Sequence, residues 1–292
     1  MRNATLVTAC LLAAFVAPPV MRGANDGMVI STDALARRLA EESLVVLHVG
    51  SQKDYGAGHI PGARLLTLAD ISVTGDRGLR LELPSTEALL TALGKLGIGD
   101  NSGIAIYPGA ESTQSATRVW FTFDYLGLGD RAALLDGGLT LWRAEGRPLS
   151  TEVPEWEPKT LTARARPELV VDAAWVQSHL DDSAVRMIDA RTPEFYSGAS
   201  AGSMPRAGRI PGAHNAPFPN FFDGNRRLKP QEQLKEILAI PAGSTPVTYC
   251  HIGQTATVPY FVARYLGMEA RLYDGSFQDW SMRTELPVDP TK

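Results

Sequence analysis

The feature that most constrains the fold of this 292-residue chain is an internal duplication. The segment Gly58–Ala63 (GHIPGA) returns as Gly208–Ala213 (GRIPGA). Two further pairs follow in the same order, Asp124–Gly127 with Arg264–Gly267 and Leu135–Trp142 with Tyr273–Trp280. The offsets lie between 138 and 150 residues, close to half the chain. A repeat of this length predicts two domains of similar structure, called here the first copy and the second copy.

Helix and strand signals alternate along the second copy. The predicted elements are a helix at about 172–180, a strand at 185–188, a helix at about 230–238, a strand at 247–249, a helix after Cys250 and a strand at about 271–273. Such alternation indicates an α/β fold, in which each copy has a parallel sheet with helices on both faces. Functional sites of such folds form at the carboxyl ends of the strands.

Composition sets the expected boundaries. The first domain is expected at 27–150, a proline-rich linker at 151–168 and the second domain at 169–292. Within the second domain, Arg191–Asn220 is rich in Gly, Pro, Ser and Ala and shows no clear periodicity. We expect this segment to be an irregular loop that is functional or mobile.

Residues 1–24 resemble a signal peptide, with Arg2 ahead of an apolar stretch that ends at Pro18. The stretch is shorter than the roughly 20 apolar residues that a membrane helix needs, and no later segment has that character. We therefore expect a periplasmic or secreted protein without a membrane span. A lipoprotein signal ending at Cys10 is the open alternative, because Val7–Ala9 has suitable residue types before that cysteine.

The charge of the chain restricts its partners. Removal of the leader would lower the basic residues from 28 to 26 against 32 acidic residues, a net charge of about −6. This mild acidity gives no support for binding nucleic acid or anionic membranes, which requires clustered Lys and Arg. We expect a small-molecule substrate and a monomeric protein.

Cys250 is the only cysteine outside the leader, so the mature chain cannot form an internal disulfide. It lies between a predicted strand and a predicted helix, where a thiolate can be stabilised by free N–H groups and the helix dipole. Gly253 permits the tight turn that points successive N–H groups inward, and Thr255 is expected to cap a helix starting near Ala256 or Thr257. The alternative is an inert cysteine buried in a core.

Two other cysteine chemistries fit the sequence poorly. Cysteine phosphatases use Cys-x5-Arg, in which the arginine binds phosphate, whereas Ala256 occupies that position here. A cysteine–histidine pair of the protease type is also weak, because His251 directly follows Cys250 and cannot readily reach back to it. His214 could serve only if folding brought it to the thiol.

The ordered motifs resemble a known family. They are Asp189–Arg191 (DAR), Gly208–Ala213 (GRIPGA), Tyr249–Thr255 (YCHIGQT) and Asp274–Trp280 (DGSFQDW). Together they are similar to the catalytic domain of rhodanese-type sulfurtransferases, and the duplication is similar to the tandem form of that family. The resemblance implies two parallel-sheet α/β domains, a catalytic second copy, a silent first copy, and no metal or organic cofactor.

The same resemblance implies a double-displacement reaction. Cys250 would take sulfur from a small anionic donor such as thiosulfate, hold it as a persulfide and pass it to a thiol or to cyanide. Thiosulfate is expected ahead of 3-mercaptopyruvate as donor. The alternative is a sulfur carrier or binding protein without catalysis of its own, acting with a partner.

The resemblance also implies the binding residues. Arg191 matches the family arginine that binds the donor's anionic end, although an ion pair with Asp189 or Glu194 is the open alternative. The remaining predicted substrate-binding residues are His251, Ile252, Gly253, Gln254 and Thr255. This loop matches neither the CRKGVT sequence typical of thiosulfate enzymes nor the CGSGVT of mercaptopyruvate enzymes. It carries no fixed positive charge, so partial protonation of His251 is one source of attraction for an anion, with an exposed bystander as the open alternative for this residue. Arg206 and Arg209 are further candidates for contact with the donor.

The first copy lacks the corresponding chemical groups. Ile104–Tyr107 matches the strand before Cys250, but Pro108–Glu111 follows it without a cysteine. Asp189–Arg191 is replaced there by His48–Gly50. A structural or pocket-forming role is therefore expected for residues 27–150.

Overall fold

The computed structural model describes residues 26–109 and 113–289; the predicted signal peptide lies outside these residues. The first copy contains strands β1 (Val29–Ile30), β2 (Leu44–Val49), β3 (Arg64–Leu66), β4 (Gly103–Pro108) and β5 (Ala132–Leu135), with helices α1 (Thr32–Arg38), α2 (Gln52–Gly56), α3 (Thr86–Lys95), α4 (Thr113–Tyr125) and α5 (Gly138–Ala144). The second copy contains β6 (Val170–Val171), β7 (Val185–Asp189), β8 (His214–Asn215), β9 (Thr245–Tyr249) and β10 (Arg271–Tyr273), with α6 (Ala173–Ser178), α7 (Pro193–Tyr196), α8 (Gln231–Leu238), α9 (Thr257–Tyr265) and α10 (Ser276–Met282).

The two copies form parallel sheets of the same topology. The strand order is β1-β5-β4-β2-β3 in the first copy and β6-β10-β9-β7-β8 in the second. Every pairing between these strands is parallel. The α/β class and the duplication predicted from the sequence are thereby confirmed.

The central strands are apolar runs, as expected for strands covered on both faces. Five of the six residues of β2 are buried, and so are five of the six residues of β4. Each sheet has an apolar core on both faces: one separate core belongs to each copy, and a third, larger core contains residues from both. This shared core joins the two copies and fixes the surfaces that meet at their boundary.

Helices α4 and α9 pack against each other with approximate two-fold symmetry. The hydroxyls of Thr117 and Thr257, which are equivalent residues of the two copies, are 2.8 Å apart. On either side, Trp120 contacts Phe261 and Phe121 contacts Tyr260, both edge to face with ring centroids 4.8 and 4.9 Å apart. Both helices follow the strand that precedes the nucleophile position, so this packing brings the two equivalent loops close together.

Two parts of the chain differ from a simple loop or linker. The segment 191–220, predicted to be irregular, contains α7 and the edge strand β8, which pairs with β7. Most of the segment is irregular as predicted, but these two short elements were missed, because β8 has only two residues, too few for a periodic signal. The proline-rich segment 151–166 has no helix or strand and lies along the first copy, where the Trp156 indole donates to the carbonyl of Lys95 at 2.9 Å.

Among the helices in the described part of the chain, none has both the length and the apolar character needed to cross a membrane.

Candidate active site

Cys250 directly follows the last residue of β9, at the carboxyl edge of the second sheet. The residue is only 1% exposed, and it is a free thiol. The loop that follows, residues 250–256, ends where α9 begins at Thr257. Strand, loop and helix thus place the thiol next to the amino end of α9, as the sequence predicted.

The backbone of this loop leaves its hydrogen-bond donors free. None of the N–H groups of residues 251–256 has an acceptor among the residues that the structure describes. Gly253 makes this turn possible, because its φ of +80° belongs to the left-handed region that favours glycine. A Cβ at Gly253 would lie 2.7 Å from the carbonyl oxygen of Asp274, so a side chain has no room there. Free N–H groups following a thiol can stabilise a negatively charged sulfur.

The start of α10 holds the loop from the other side. The N–H of Phe277 donates to the carbonyl of Cys250 at 2.9 Å, and the N–H of Gln278 donates to that of His251 at 2.9 Å. The Ser276 hydroxyl accepts the Cys250 N–H at 3.2 Å and donates to the Tyr273 carbonyl at 2.9 Å. Ser276 does this from a left-handed conformation with φ +52°, which is unfavourable for a residue other than glycine.

A buried arginine of the first copy braces the same loop. The Arg118 guanidinium is completely buried; it donates to the carbonyl of Gly253 at 3.2 Å and forms an ion pair with Asp274. Its other terminal nitrogen donates to the carbonyl of Leu81 at 2.7 Å. The second oxygen of Asp274 accepts the N–H of Leu83 at 3.0 Å. The first copy therefore forms one wall of the site.

Arg191 is buried rather than extended into solvent. Its Nε and Nη2 atoms donate to the Asp189 carboxylate at 2.9 and 2.6 Å, and Nη2 also donates to the Gly208 carbonyl at 2.8 Å. Burial alone would lower the pKa of Arg191, but the bound Asp189 carboxylate raises it overall. The ion pair with Asp189 is thus present, and that with Glu194 is absent from the ion pairs of the described residues. Substrate binding by Arg191 stays a prediction.

His251 carries no charge near neutral pH. Burial, followed by the positive charge of Arg191, lowers its pKa from 6.5 to about 4. Its ring meets the ring of Phe195 edge to face, with centroids 4.4 Å apart. The partial protonation considered from the sequence is therefore wrong, since the half-buried ring favours its neutral form. The next residue, Ile252, is half-exposed at the same surface.

Gln254 contacts the first copy, whereas Thr255 is not the cap of α9. The Gln254 amide donates to the Ser115 hydroxyl of the first copy at 2.9 Å. The expected cap at Thr255 is wrong: the N-cap position of α9 is Ala256, which has no side chain that could make such a bond. Instead the Thr257 hydroxyl donates to the Gln254 carbonyl at 2.7 Å and closes the loop.

The other candidates from the sequence are engaged elsewhere. Arg206 donates to four backbone carbonyls near the end of the second copy, those of Trp280, Ser281, Arg283 and Leu286. Arg209 lies on the ring of Tyr196, 4.5 Å from its centroid. The ring of His214 is 3.0 Å from the Ile237 carbonyl. These contacts give the three residues structural roles.

Sequence reasoning missed the residues that come from the first copy. Arg118 has a hydrophobic counterpart in the second copy, Val258, so the duplication gives no warning of it. One signal was available: Arg118 stands beside Val119 and Trp120 on a strongly apolar helix, where a charged residue needs a partner. That signal does not name the partner, which lies 156 positions away at Asp274.

Comparison with known proteins agrees with this geometry. The family model described as "Rhodanese-like domain" matches the chain twice, over residues 31–145 and 172–283. The chain is 31% identical to a probable 3-mercaptopyruvate sulfurtransferase of Pseudomonas aeruginosa, over 90% of this chain and 98% of that protein. It is also 31% identical to thiosulfate/3-mercaptopyruvate sulfurtransferase 2 of Arabidopsis thaliana, over 89% of this chain and 86% of that one.

Two further similarities broaden the comparison. The chain is 30% identical to the sulfur carrier protein TtuD of Thermus thermophilus, over 91% of this chain and 97% of that protein. Among solved structures, wild-type EanB superposes with a TM-score of 0.82 at 22% identity, over 94% of this chain and 72% of that chain. At this identity the structural match supports the fold alone.

Proposed function

The chain belongs to the rhodanese family of sulfurtransferases, and from this premise we propose that it transfers sulfane sulfur through a persulfide on Cys250. The proposed donor is thiosulfate, with 3-mercaptopyruvate as the second choice, and the proposed acceptor is cyanide or a thiol. The second copy carries the reaction, and the first copy completes the walls of the site.

One observation carries this proposal: the free N–H groups of residues 251–256 follow directly after a buried thiol. A persulfide anion needs donors that do not have to reorganise when charge develops, and backbone N–H groups held by α9 and α10 meet that need. The same donors serve the thiolate before and after the transfer. One loop can therefore support both half-reactions.

The chemical balance with thiosulfate is simple. The Cys250 thiolate attacks the outer sulfur, a new S–S bond forms, the S–S bond of thiosulfate breaks, and sulfite leaves with the electron pair. Cyanide or a thiolate then attacks the outer sulfur of the persulfide and releases the Cys250 thiolate. With 3-mercaptopyruvate, the bond that breaks is C–S, and pyruvate leaves after protonation.

A second candidate is a sulfur carrier that needs a partner for the transfer. Two observations favour it: the similarity to a named sulfur carrier protein, and the 1% exposure of Cys250, which restricts access by free acceptors. The loop also lacks a charged side chain of its own, since His251 is neutral. The two candidates share the persulfide and differ in turnover.

Intact-mass measurement after incubation with each donor tests the shared step. The expected result is a gain of one sulfur that disappears in Cys250→Ser; no gain with either donor would refute both candidates. Repeated turnover with cyanide or a dithiol then distinguishes an enzyme from a carrier, which would stop after one transfer. The ratio of kcat/KM for the two donors identifies the preferred one.

We further propose that the protein is exported after removal of residues 1–24 and acts as a monomer. The leader's apolar stretch behind Arg2 supports export. The mass of protein recovered from the exported fraction would show whether the leader is removed. Light scattering of the same sample would show its oligomeric state.

A further inference from the structure

A loop of the first copy reaches the active site. This first-copy loop, residues 72–84, is closed at its base by an antiparallel bridge between Val73 and Glu82. Its residues Arg77 and Leu81 both have left-handed backbones, with φ of 65° and 66°. Such conformations persist only where other contacts hold them: Asp279 of the second copy pairs with Arg77, and Arg118 of the first copy donates to the Leu81 carbonyl.

Gln278 connects the first-copy loop to the catalytic loop, which is the segment of residues 250–256 that contains Cys250. Its side-chain oxygen accepts the backbone N–H of Arg80 at 3.0 Å, and its side-chain nitrogen donates to the Arg80 carbonyl at 2.8 Å. Its own backbone N–H donates to the carbonyl of His251 at 2.9 Å. Gln278 is buried, so one ordered residue fixes the backbones of Arg80 and His251 relative to each other.

The side chain of Arg80 differs from the other arginines around the site. Arg191 is paired with Asp189, Arg118 with Asp274 and Arg77 with Asp279. Arg80 is exposed, and within the described part of the chain its guanidinium has neither an ion pair nor a hydrogen bond. An uncompensated positive charge therefore stands beside a catalytic loop that has none.

The positive charge of Arg80 acts on His251 in that loop. After burial and the charges of Arg191 and Asp189, Arg80 contributes to the lowered pKa of His251. Through Gln278, the backbone of Arg80 is held close to that of His251. A flexible, exposed guanidinium on a backbone that is anchored beside this loop can bind a sulfonate or a carboxylate as that group arrives.

We propose that Arg80, supplied by the first copy, is a specificity-determining residue that binds the anionic end of the sulfur donor at the mouth of the Cys250 site. The inference rests on the proposed function for the identity of the donor. Thiosulfate and 3-mercaptopyruvate are both anions, so Arg80 would bind the negative charge that the two donors share. The first copy would then take part in donor recognition as well as in forming the pocket wall.

Alkylation of Cys250 tests the charge without any sulfur transfer. Iodoacetate and iodoacetamide have similar shapes and differ in charge, and their rates can be read from the tryptic peptide that contains Cys250. In Arg80→Gln, the rate ratio of iodoacetate to iodoacetamide is expected to fall about five- to tenfold, a change of the size that one screened charge produces near a protein surface. Arg80→Lys should keep most of the ratio.

A matched control is available in the same copy. Arg37 lies exposed on α1, where its charge acts on Asp33, and Arg37→Gln changes the net charge by the same amount. The ratio should stay as in the wild type for this variant. Arg80→Gln should fold normally, because the contacts that anchor residue 80 use backbone atoms.

Donor kinetics give the second readout. Arg80→Gln should raise the KM for the donor about fivefold with kcat retained, and the KM of the wild type should approach that of the variant in high salt. An unchanged alkylation ratio together with an unchanged KM would overturn the role of Arg80. If the wild type gains no sulfur from either donor, the proposed function fails, while a fall in the alkylation ratio would still establish an anion site at Arg80.

Discussion

The two copies share a scaffold but differ at the position after their central strand. In the first copy, the N–H of Gly109 donates to the carbonyl of Val49 at the end of β2 at 2.9 Å, so this N–H already has an acceptor in the sheet. In the second copy, the equivalent N–H of His251 has no acceptor among the described residues. Pro108 stands where the second copy has Cys250, and it has neither a thiol nor an N–H. The two copies therefore differ in their free backbone donors as well as in the cysteine.

A second difference lies at the first residue of α5 in the first copy and of α10 in the second copy. Gly138 of the first copy and Ser276 of the second occupy equivalent positions with φ of 56° and 52°. Only the serine hydroxyl can accept the N–H of the nucleophile. The first copy has the same backbone conformation at this position without the thiol and the hydroxyl. Its Arg118 and its first-copy loop instead contact Gly253 and Gln278 of the second copy.

Moving the thiol between the copies tests this comparison with the largest expected effect. Pro108→Cys combined with Cys250→Ser should show no sulfur gain and turnover at least about 10³-fold below the wild type, because an unsupported thiol lacks its stabilising groups. Intact mass and cyanide turnover measure the outcome, with Cys250→Ser alone as control. Sulfur bound to the introduced thiol at the wild-type rate would show that the cysteine alone suffices.

Removing the buried arginine tests the bracing of the second copy by the first. Arg118→Met should lower the free energy of unfolding by about 3–5 kcal/mol, because it leaves the Asp274 carboxylate buried without its partner. Urea unfolding measures the change. Adding Asp274→Leu should recover part of the loss, since the unpaired charge is then gone. A loss below about 1 kcal/mol in the single variant would contradict a buried ion pair.

Substitutions at the two equivalent left-handed residues, Gly138 and Ser276, test the same comparison with a smaller expected effect on stability. Gly138→Ala should lower stability by about 1–3 kcal/mol, because φ is +56° and the new Cβ would lie 3.0 Å from two ring carbons of Pro108. Ser276→Gly should change stability by less than about 1 kcal/mol, since relief of backbone strain offsets the lost hydroxyl bonds. Urea midpoints measure both. Equal losses in the two variants would be inconsistent with this account.

The last comparison concerns the pH dependence of stability that arises from one histidine in each copy. Burial, the largest cause in both cases, lowers the pKa of His48 and that of His251 to about 4. The unfolded chain, with a histidine pKa near 6.5, binds more protons below that pH, so stability falls between about pH 6.5 and 4. His48→Asn and His251→Asn should each make this fall shallower and by similar amounts, because the two pKa values are lowered to the same level. Urea midpoints at pH 7 and pH 4.5 would show it; unchanged slopes would argue that both rings protonate freely in the fold.

Local pattern accounts for the parts of the fold that sequence predicted well. The strands at 185–188, 247–249 and 271–273 and the helix at 230–238 agree with β7, β9, β10 and α8 to within one or two residues. These elements have apolar residues at regular spacing and clear ends. Strand β8 was missed because its two residues carry no such spacing, and its position depends on pairing with β7.

The prediction of individual roles at the site was less complete. The free donors after Cys250 follow from Gly253 and the start of a helix, both visible in the sequence. The neutrality of His251 does not, because it results from burial against Phe195 and from the nearby charge of Arg191. A pKa depends on what surrounds a side chain, and that is known only once distant segments are packed together.

The sequence by itself determined the duplication, the α/β class, the position of the cysteine after the central strand of the second copy and the absence of a cysteine from the equivalent position of the first copy. Each of these is written in residue identity and spacing along the chain. Tertiary structure alone decided that the Arg118 side chain and the Arg80 backbone of the first copy contact Gly253 and Gln278 of the second copy. These contacts join residues more than 130 positions apart, and they exist because α4 and α9 bury a shared core that brings the two copies together.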